Sequence, residues 1–352
     1  MFDKTETLQL KGIAVLIMVY YHSVALNPSV LALPALHAFA SRTGNICVVI
    51  FAFITIYGLS KKLLNASDSI TIKKSYPLFV IKRTAALYRS FWPAYLLAFT
   101  VSAISQLLYY IVRIPDFALL SNNYGAMPGA LLHGIINFFG LSHAFYGNNL
   151  YTLNQTWWYM SLALVLVLLV PLYVFFCQKN AFVALAGSIL LAVMIPTSAW
   201  RYVQYLPLLA IASAKAAQPY RHPGKLQYLL FAGAVLLWSV VRLISPTDHN
   251  DFADSLIAWP MIELLLLVLH HAKPWLRSVL SFIGLHSANI FYLHSFVYHY
   301  WPTSYLVNFF RVGFLEFAAT VLLTVLLSQI LEHWKKVFGW DACFGRIFSC
   351  LS

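Results

Sequence analysis

Residues 127–147 read MPGALLHGIINFFGLSHAFYG. Whether this stretch crosses a membrane fixes the side on which every later residue lies. It is mostly apolar, but Pro128, His133, His143 and the glycines at 129, 134, 140 and 147 interrupt it. A crossing helix needs about 20 consecutive apolar residues. Charge decides the matter, because lysine and arginine gather on cytoplasmic loops. If 127–147 does not cross, Lys179, Lys215, Arg221, Lys225, Lys273, Arg277, Lys335, Lys336 and Arg346 fall inside, and Arg201, Arg242 and Arg311 outside. If it crosses, the ratio inverts. The stretch is therefore expected to be a re-entrant or interfacial piece on the outer side.

Around it lie apolar segments at about 8–26, 45–59, 91–112, 157–176, 181–199, 202–217, 227–243, 255–270, 279–300 and 313–331, each close to spanning length. The expected fold is all-α and polytopic, with about ten transmembrane helices and both termini cytoplasmic. Residues 1–338 form the membrane part and 339–352 a cytoplasmic tail. Composition agrees: 61% of the chain is hydrophobic and 10% charged, against about 25% charged in soluble domains. The mean hydropathy is +0.75. This leaves little chain for a soluble domain, and the continuous apolar runs are not the alternating pattern of a barrel. The net charge of +12 reports topology, so no nucleic-acid partner is expected. Cys47, Cys177, Cys343 and Cys350 have no metal-ligand spacing, and neither a metal site nor a structural disulfide is expected. The N-terminal run lacks a convincing cleavage site and is kept as an uncleaved first span. The protein is read as a multi-pass protein of the cell (inner or plasma) membrane.

The longest polar stretch, SKKLLNASDSITIKKSYPLFVIKR (60–83), lies inside on this topology and makes a basic face. The outer side receives NNYGAM (122–127), FYGNNLYTLNQ (145–155) and SPTDHNDFAD (245–254), neutral or acidic and suited to sugar hydroxyls rather than phosphates.

The first span contains LKGIAVLIMVYYHSV (10–24), with Lys11 and His22 as its ionisable groups. Eleven helical residues make about three turns and about 16 Å of rise, which puts the two on nearly one face. Lysine at an interface and histidine in a membrane helix both have ordinary explanations, snorkelling and a hydrogen bond to a neighbouring helix. Together they describe a slot with a cation at its mouth and a titratable base at its depth. That slot suits coenzyme A, with the imidazole taking the proton from an acceptor hydroxyl that attacks a thioester.

This stretch resembles the opening of acyltransferase family 3, the integral membrane O-acyltransferases of bacterial surface polysaccharides, whose first helix carries arginine or lysine, ten residues, then histidine. Other landmarks follow in order between about residues 8 and 301. GNICVVIFAFITIYGLSKK (44–62) is similar to the second span, with Tyr57 before Gly58, although the small pair before the aromatic is altered. FVIKRTAALYRSFWPAY (79–95) is similar to the basic, proline-bearing third helix, and the resemblance implies that Lys82, Arg83 and Arg89 grip the phosphates of the donor. LNQTWWYMSLALVLVLLVP (153–171) matches the tryptophan-bearing fourth span, but has no glutamate a turn beyond the tryptophan. Asn154, Trp157, Trp158 and Tyr159 are candidates to meet a sugar face, as is Tyr57, with an aromatic belt as the plain alternative. IGLHSANIFYLHSFVYHYW (283–301) is similar to the penultimate helix and places His294 at a pocket position. Of the acids, Glu263 and Glu316 lie well within spans and are candidate partners for His22.

The resemblance implies an enzyme: a membrane O-acyltransferase, expected to be an O-acetyltransferase, with acetyl-CoA as acyl donor and a surface polysaccharide or lipid-linked glycan as acceptor. His22 is the general base, and Lys11, Lys82, Arg83 and Arg89 hold the donor. The alternatives are a polysaccharide or lipid transporter or flippase, and a non-catalytic acyl-CoA-binding membrane module.

Overall fold

The computed structural model describes residues 3–27, 33–66, 69–115, 118–125, 129–144, 152–198, 200–220, 222–244, 251–301, 303–309 and 311–347. In chain order its helices begin with α1 (Lys4–Tyr20), extended by a π turn (Tyr21–Ala25), then α2 (Pro34–Thr43), α3 (Ile46–Ala66), α4 (Ser69–Val112), α5 (Leu119–Tyr124) and α6 (Gly129–Phe138). There follow α7 (Trp158–Met194), α8 (Leu206–Ala217), α9 (Lys225–Ile244), α10 (Asp251–His271) and α11 (Pro274–Leu285). After these come α12 (Ser287–Ser295) with a second π turn (Phe296–Tyr300), α13 (Thr303–Asn308), α14 (Gly313–Val337) and α15 (Trp340–Ile347). No strand occurs among the described residues. The protein is an all-α polytopic membrane protein.

Among the described residues seven helical stretches are long and apolar enough to cross: Lys4–Ala25, Pro34–Asn65, Tyr76–Val112, Gln155–Met194, Lys225–Ile244, Asp251–His271 and Gly313–Val337. The expected ten differ for local reasons. The segments at 157–176 and 181–199 lie in one helical run that breaks at Asn180 (φ −159°, ψ 100°), where the Asn180 side chain accepts from Val183 N at 3.1 Å and caps the second half. The segment at 202–217 is a 3₁₀ turn (Arg201–Tyr205) followed by the short α8. The segment at 279–300 is broken at His286, the buried end of α11. Residues 127–147 contain only α6 and turns in their described part. Ten helical residues rise about 15 Å, half of the hydrocarbon thickness of about 30 Å. Residues 126–128, 145–151 and 245–250, which carry much of the expected outer loops, lie outside the described residues. The basic stretch at 60–83 is helical through its described part, since α3 ends at Ala66 and α4 begins at Ser69.

The chain forms two compact units. The first comprises Met1–Leu26, Ala32–Val80 and Val165–Ser287. Without a hydrophobic drive between helices in lipid, their association depends on close packing and interhelical hydrogen bonds. The α1–α11 seam shows the packing. A Cβ on Gly12 would collide with the carbonyl oxygen of Leu280, and one on Gly284 with that of Leu8, so both glycines bring backbone against backbone. Gly58, by contrast, has nothing within reach of an added Cβ and serves no such seam. Ser60 and Ser213 join α3 to α8 by a hydroxyl pair at 3.2 Å.

The second unit comprises Asn27–Leu31, Ile81–Leu164 and Ala288–Ser352. Its core is aromatic: Phe91 meets Trp157 edge-on at 5.1 Å and Tyr292 at 5.3 Å, and Phe296 packs on Trp301 at 5.0 Å. Such geometries add about 0.5–1.5 kcal/mol per pair beyond area burial.

Candidate active site

In the first unit the site is built on α1. Asp3 and Glu6 form a reciprocal capping box that starts this helix, with Glu6 N donating to Asp3 Oδ1 at 2.6 Å and Asp3 N to Glu6 Oε2 at 2.9 Å. Leu10, Gly12, Ala14, Val15, Met18 and Val19 are buried, while Lys11 and His22 are both half-buried. His22 lies within the π turn, which closes with Leu26 N donating to Tyr21 O at 3.0 Å. Such single-turn widenings recur at functional sites because they re-aim one side chain without ending the helix. Tyr21 stacks edge-on to His22 at 5.0 Å. Gly44 leaves the room that the Tyr21 ring occupies, since a Cβ there would overlap it. The imidazole is thus set by a local widening and by the glycine that ends the next helix. Among the described residues Lys11 makes no ion pair.

Tyr57 on α3 is buried, stacked on Phe53, which in turn stacks on Trp259 of α10. Lys215 lies over the Trp259 ring at 4.6 Å. Glu263 is buried and accepts from Tyr220 OH at 3.2 Å, with Tyr57 and Lys215 in electrostatic range. This carboxylate is therefore engaged with a group on the loop after α8. Glu316, the other candidate acid, is buried in the first turn of α14, in the second unit.

Sequence reasoning missed a buried charge network in the first unit. Asp251 and Asp254, read as part of an outer loop, open α10 and are buried. Asp251 accepts from Asn45 Nδ2 at 2.6 Å and pairs with Arg201 at 3.3 Å. Asp254 accepts from Trp238 Nε1 at 2.9 Å and pairs with Arg242 at 3.6 Å, both side chains fully buried. Two of the three arginines that depart from the expected positive-inside pattern thus have carboxylate partners. The signal was available: two aspartates three apart share a helix face, and arginines close to apolar segments need partners.

The second unit carries the remaining candidates. Lys82 is exposed and Arg83 half-buried on α4. Arg89, half-exposed, donates to Asp341 of α15 at 2.7 Å, and Trp340 Nε1 donates to Arg89 O at 3.0 Å. Asn154 is fully buried, and its Oδ1 accepts from Thr156 N and Oγ1 at 2.9 and 2.8 Å. That caps the 3₁₀ turn leading into α7. The Asn154 amide and the buried Trp157 indole both donate to Tyr292 O, at 3.3 and 3.0 Å, holding α7 to α12. Trp158 and Tyr159 are half-buried. His294 is fully buried, with Nδ1 at 2.9 Å from Phe291 O and 3.2 Å from Ile290 O. Because a carbonyl only accepts, the proton sits on Nδ1. Among the described residues no group of histidines, cysteines and carboxylates is arranged to hold a metal ion.

Set beside known proteins, residues 9–333 match the family model of an acyltransferase domain, that of acyltransferase family 3. The chain belongs to acyltransferase family 3. The match spans nearly the whole chain and takes in both units. No curated protein and no solved structure matches this acyltransferase.

Proposed function

We propose that this membrane acyltransferase moves an acyl group, acetyl in the first instance, from cytoplasmic acetyl-CoA to a hydroxyl of a surface polysaccharide or lipid-linked glycan at the cell membrane. What supports the reading is the half-buried imidazole of His22 in a π turn, three turns along the same helix from the cation of Lys11, in a chain of this family. His22 takes the proton of the acceptor hydroxyl as its oxygen attacks the thioester carbonyl. The carbon–sulfur bond then breaks, and the imidazolium returns that proton to the departing thiolate. General-base catalysis of this kind contributes about 10²–10⁴-fold. Lys11 meets the anionic donor as a point charge. The resemblance further assigns Lys82, Arg83 and Arg89 to the donor phosphates, and at Arg89 those phosphates compete with Asp341. Trp158 and Tyr159 are the aromatic faces assigned to the acceptor.

The test uses purified full-length protein in detergent with acetyl-CoA and a glycan acceptor, reading thiol release and acyl transfer. His22→Ala is expected to remove transfer while eluting as a monodisperse, helical protein. Unchanged transfer in that variant would sink the mechanism.

A further inference from the structure

A cavity of ≈ 600 Å³ opens in the second unit between α4, α5 and α6, within the range of about 300–1,000 Å³ typical of small-molecule sites. Its walls are almost wholly apolar, with Leu96 and Phe99 of α4 facing Leu131 and Ile135 of α6, all four partly open to the surroundings. In a membrane-spanning helix bundle such a wall is hydrocarbon-facing.

One polar group in the cavity is incomplete. Gln106 of α4 lines it and is 8% exposed. Its Oε1 accepts from Ser121 N at 3.1 Å and from Ser121 Oγ at 3.2 Å. Because a backbone N–H only donates, that pairing fixes which end of the amide faces Ser121. The other end, Nε2, is a buried donor with no partner among the described residues. Leaving a buried donor unmet costs about 1–3 kcal/mol, a cost that an acceptor oxygen brought by a ligand removes.

The face of α4 gives the ligand's direction. Leu96, Phe99, Gln106 and Tyr110 follow one another at steps of three, four or seven residues and so share a side of the helix, and Arg113 follows its end in the left-handed region (φ 59°). Along it the character changes from apolar side chains through an amide and a phenol to a cation just beyond the helix end. Leu96 to Gln106 covers about 15 Å of hydrocarbon wall, and Gln106 lies about 9 Å from the end of the helix. That sequence matches an amphiphile with a long chain and an anionic, oxygen-rich head. The cavity is also tied to the segment assigned to the acceptor. Tyr124 OH in its wall donates to Asn137 Oδ1 at 2.8 Å, Asn137 Nδ2 donates to Thr152 Oγ1 at 3.1 Å, and Thr152 Oγ1 donates to Asn154 O at 3.1 Å.

We propose that this cavity seats the lipid anchor of the acyl acceptor, a long-chain lipid phosphate, with its hydrocarbon between α4 and α6, a phosphate oxygen on Gln106 Nε2 and its charge facing Arg113. The proposal rests on the reading of the acceptor as a lipid-linked glycan.

Binding of polyprenyl phosphate to the purified full-length protein, followed by native mass spectrometry with phosphatidylglycerol as competitor, tests it. A Cβ at Gly134 meets nothing closer than 3.9 Å, so Gly134→Phe is expected to fit locally, fill the cavity and abolish binding. Gln106→Leu is expected to weaken binding about tenfold by removing the donor, and Arg113→Gln to weaken it less and flatten its salt dependence. Unchanged affinity in both Gly134→Phe and Gln106→Leu, or equal displacement by phosphatidylglycerol, overturns the site. Acetyl-CoA thioester hydrolysis separates this inference from the enzymatic reading. Polyprenyl phosphate binding without any acyl transfer by wild type keeps the lipid site and removes the enzyme. Acyl transfer by a wild type that binds no polyprenyl phosphate keeps the enzyme and removes the lipid site.

Discussion

His22 and His294 occupy similar sequence settings, each in an aromatic-rich apolar run, and each helix turns into a π turn at or just after its histidine. Their surroundings differ. His294 is fully buried and its Nδ1 proton is directed at the carbonyls of its own helix, one turn back. His22 is half-buried inside the widened turn, with Tyr21 against its ring and Gly44 making room for Tyr21. Similar neighbours in sequence thus leave two histidines in different surroundings, one with its Nδ1 proton on the carbonyls of its own helix and the other within a widened turn.

Substitution of the imidazoles probes this difference most directly. His22→Ala is expected to lower acyl transfer by about 10²–10⁴-fold, while His294→Ala lowers thermal stability in detergent more than turnover. Equal losses of turnover in the two variants would erase the distinction. Next in size is the charge network packed in the unit that holds His22. Arg242→Leu leaves Asp254 buried without its cation and is expected to cost about 3–5 kcal/mol, seen as a lowered unfolding midpoint. Arg242→Met combined with Asp254→Leu recovers much of that loss, whereas exposed ion pairs would recover nothing. Gly12→Ala comes third, forcing the α1 backbone off Leu280 at about 1–3 kcal/mol, with turnover falling because Lys11 moves with it. The smallest effect belongs to Arg89 and Asp341, a half-exposed pair worth about 0.2–1 kcal/mol.

The hydrogen bond from Arg89 holds the Asp341 carboxyl below its ordinary range. A depressed carboxylate stabilises the fold above its ordinary pKa of about 3.9 and loses that contribution only as pH falls through the still lower folded value. Docking of α15 is thus expected to be flat across neutral pH and to loosen in acid. Asp341→Asn removes the acid dependence and speeds amide exchange over 340–347 by no more than several-fold.

Much of the fold was readable in the residues, because apolar length is a direct physical requirement of a bilayer. The expectation that residues 127–147 do not cross came from counting arginines and lysines, and in its described part the stretch holds only the ten-residue α6 and turns. The helix count was less readable. Asn180 breaks the backbone and at once caps the helical segment that follows, and His286 interrupts a run that hydropathy joins. Lys11 and His22 were legible through their spacing. The network of Asn45, Arg201, Arg242, Asp251 and Asp254 was not, because its members are spread over two hundred residues and only folding brings them together. Asn154 and Trp157 show the converse: residues that read as sugar contacts direct their polar atoms at Thr156 and Tyr292.

The meeting of Gly12 with Leu280 and of Gly284 with Leu8 has a bearing on biogenesis. The helix bearing the proposed base is translated before the surface against which its backbone nests, which follows more than two hundred and fifty residues later. A nascent chain stalled before that point holds a first helix that lacks its groove. On the proposed mechanism, catalytic competence is accordingly a late event in synthesis, and an incomplete polypeptide reaches the bilayer inert.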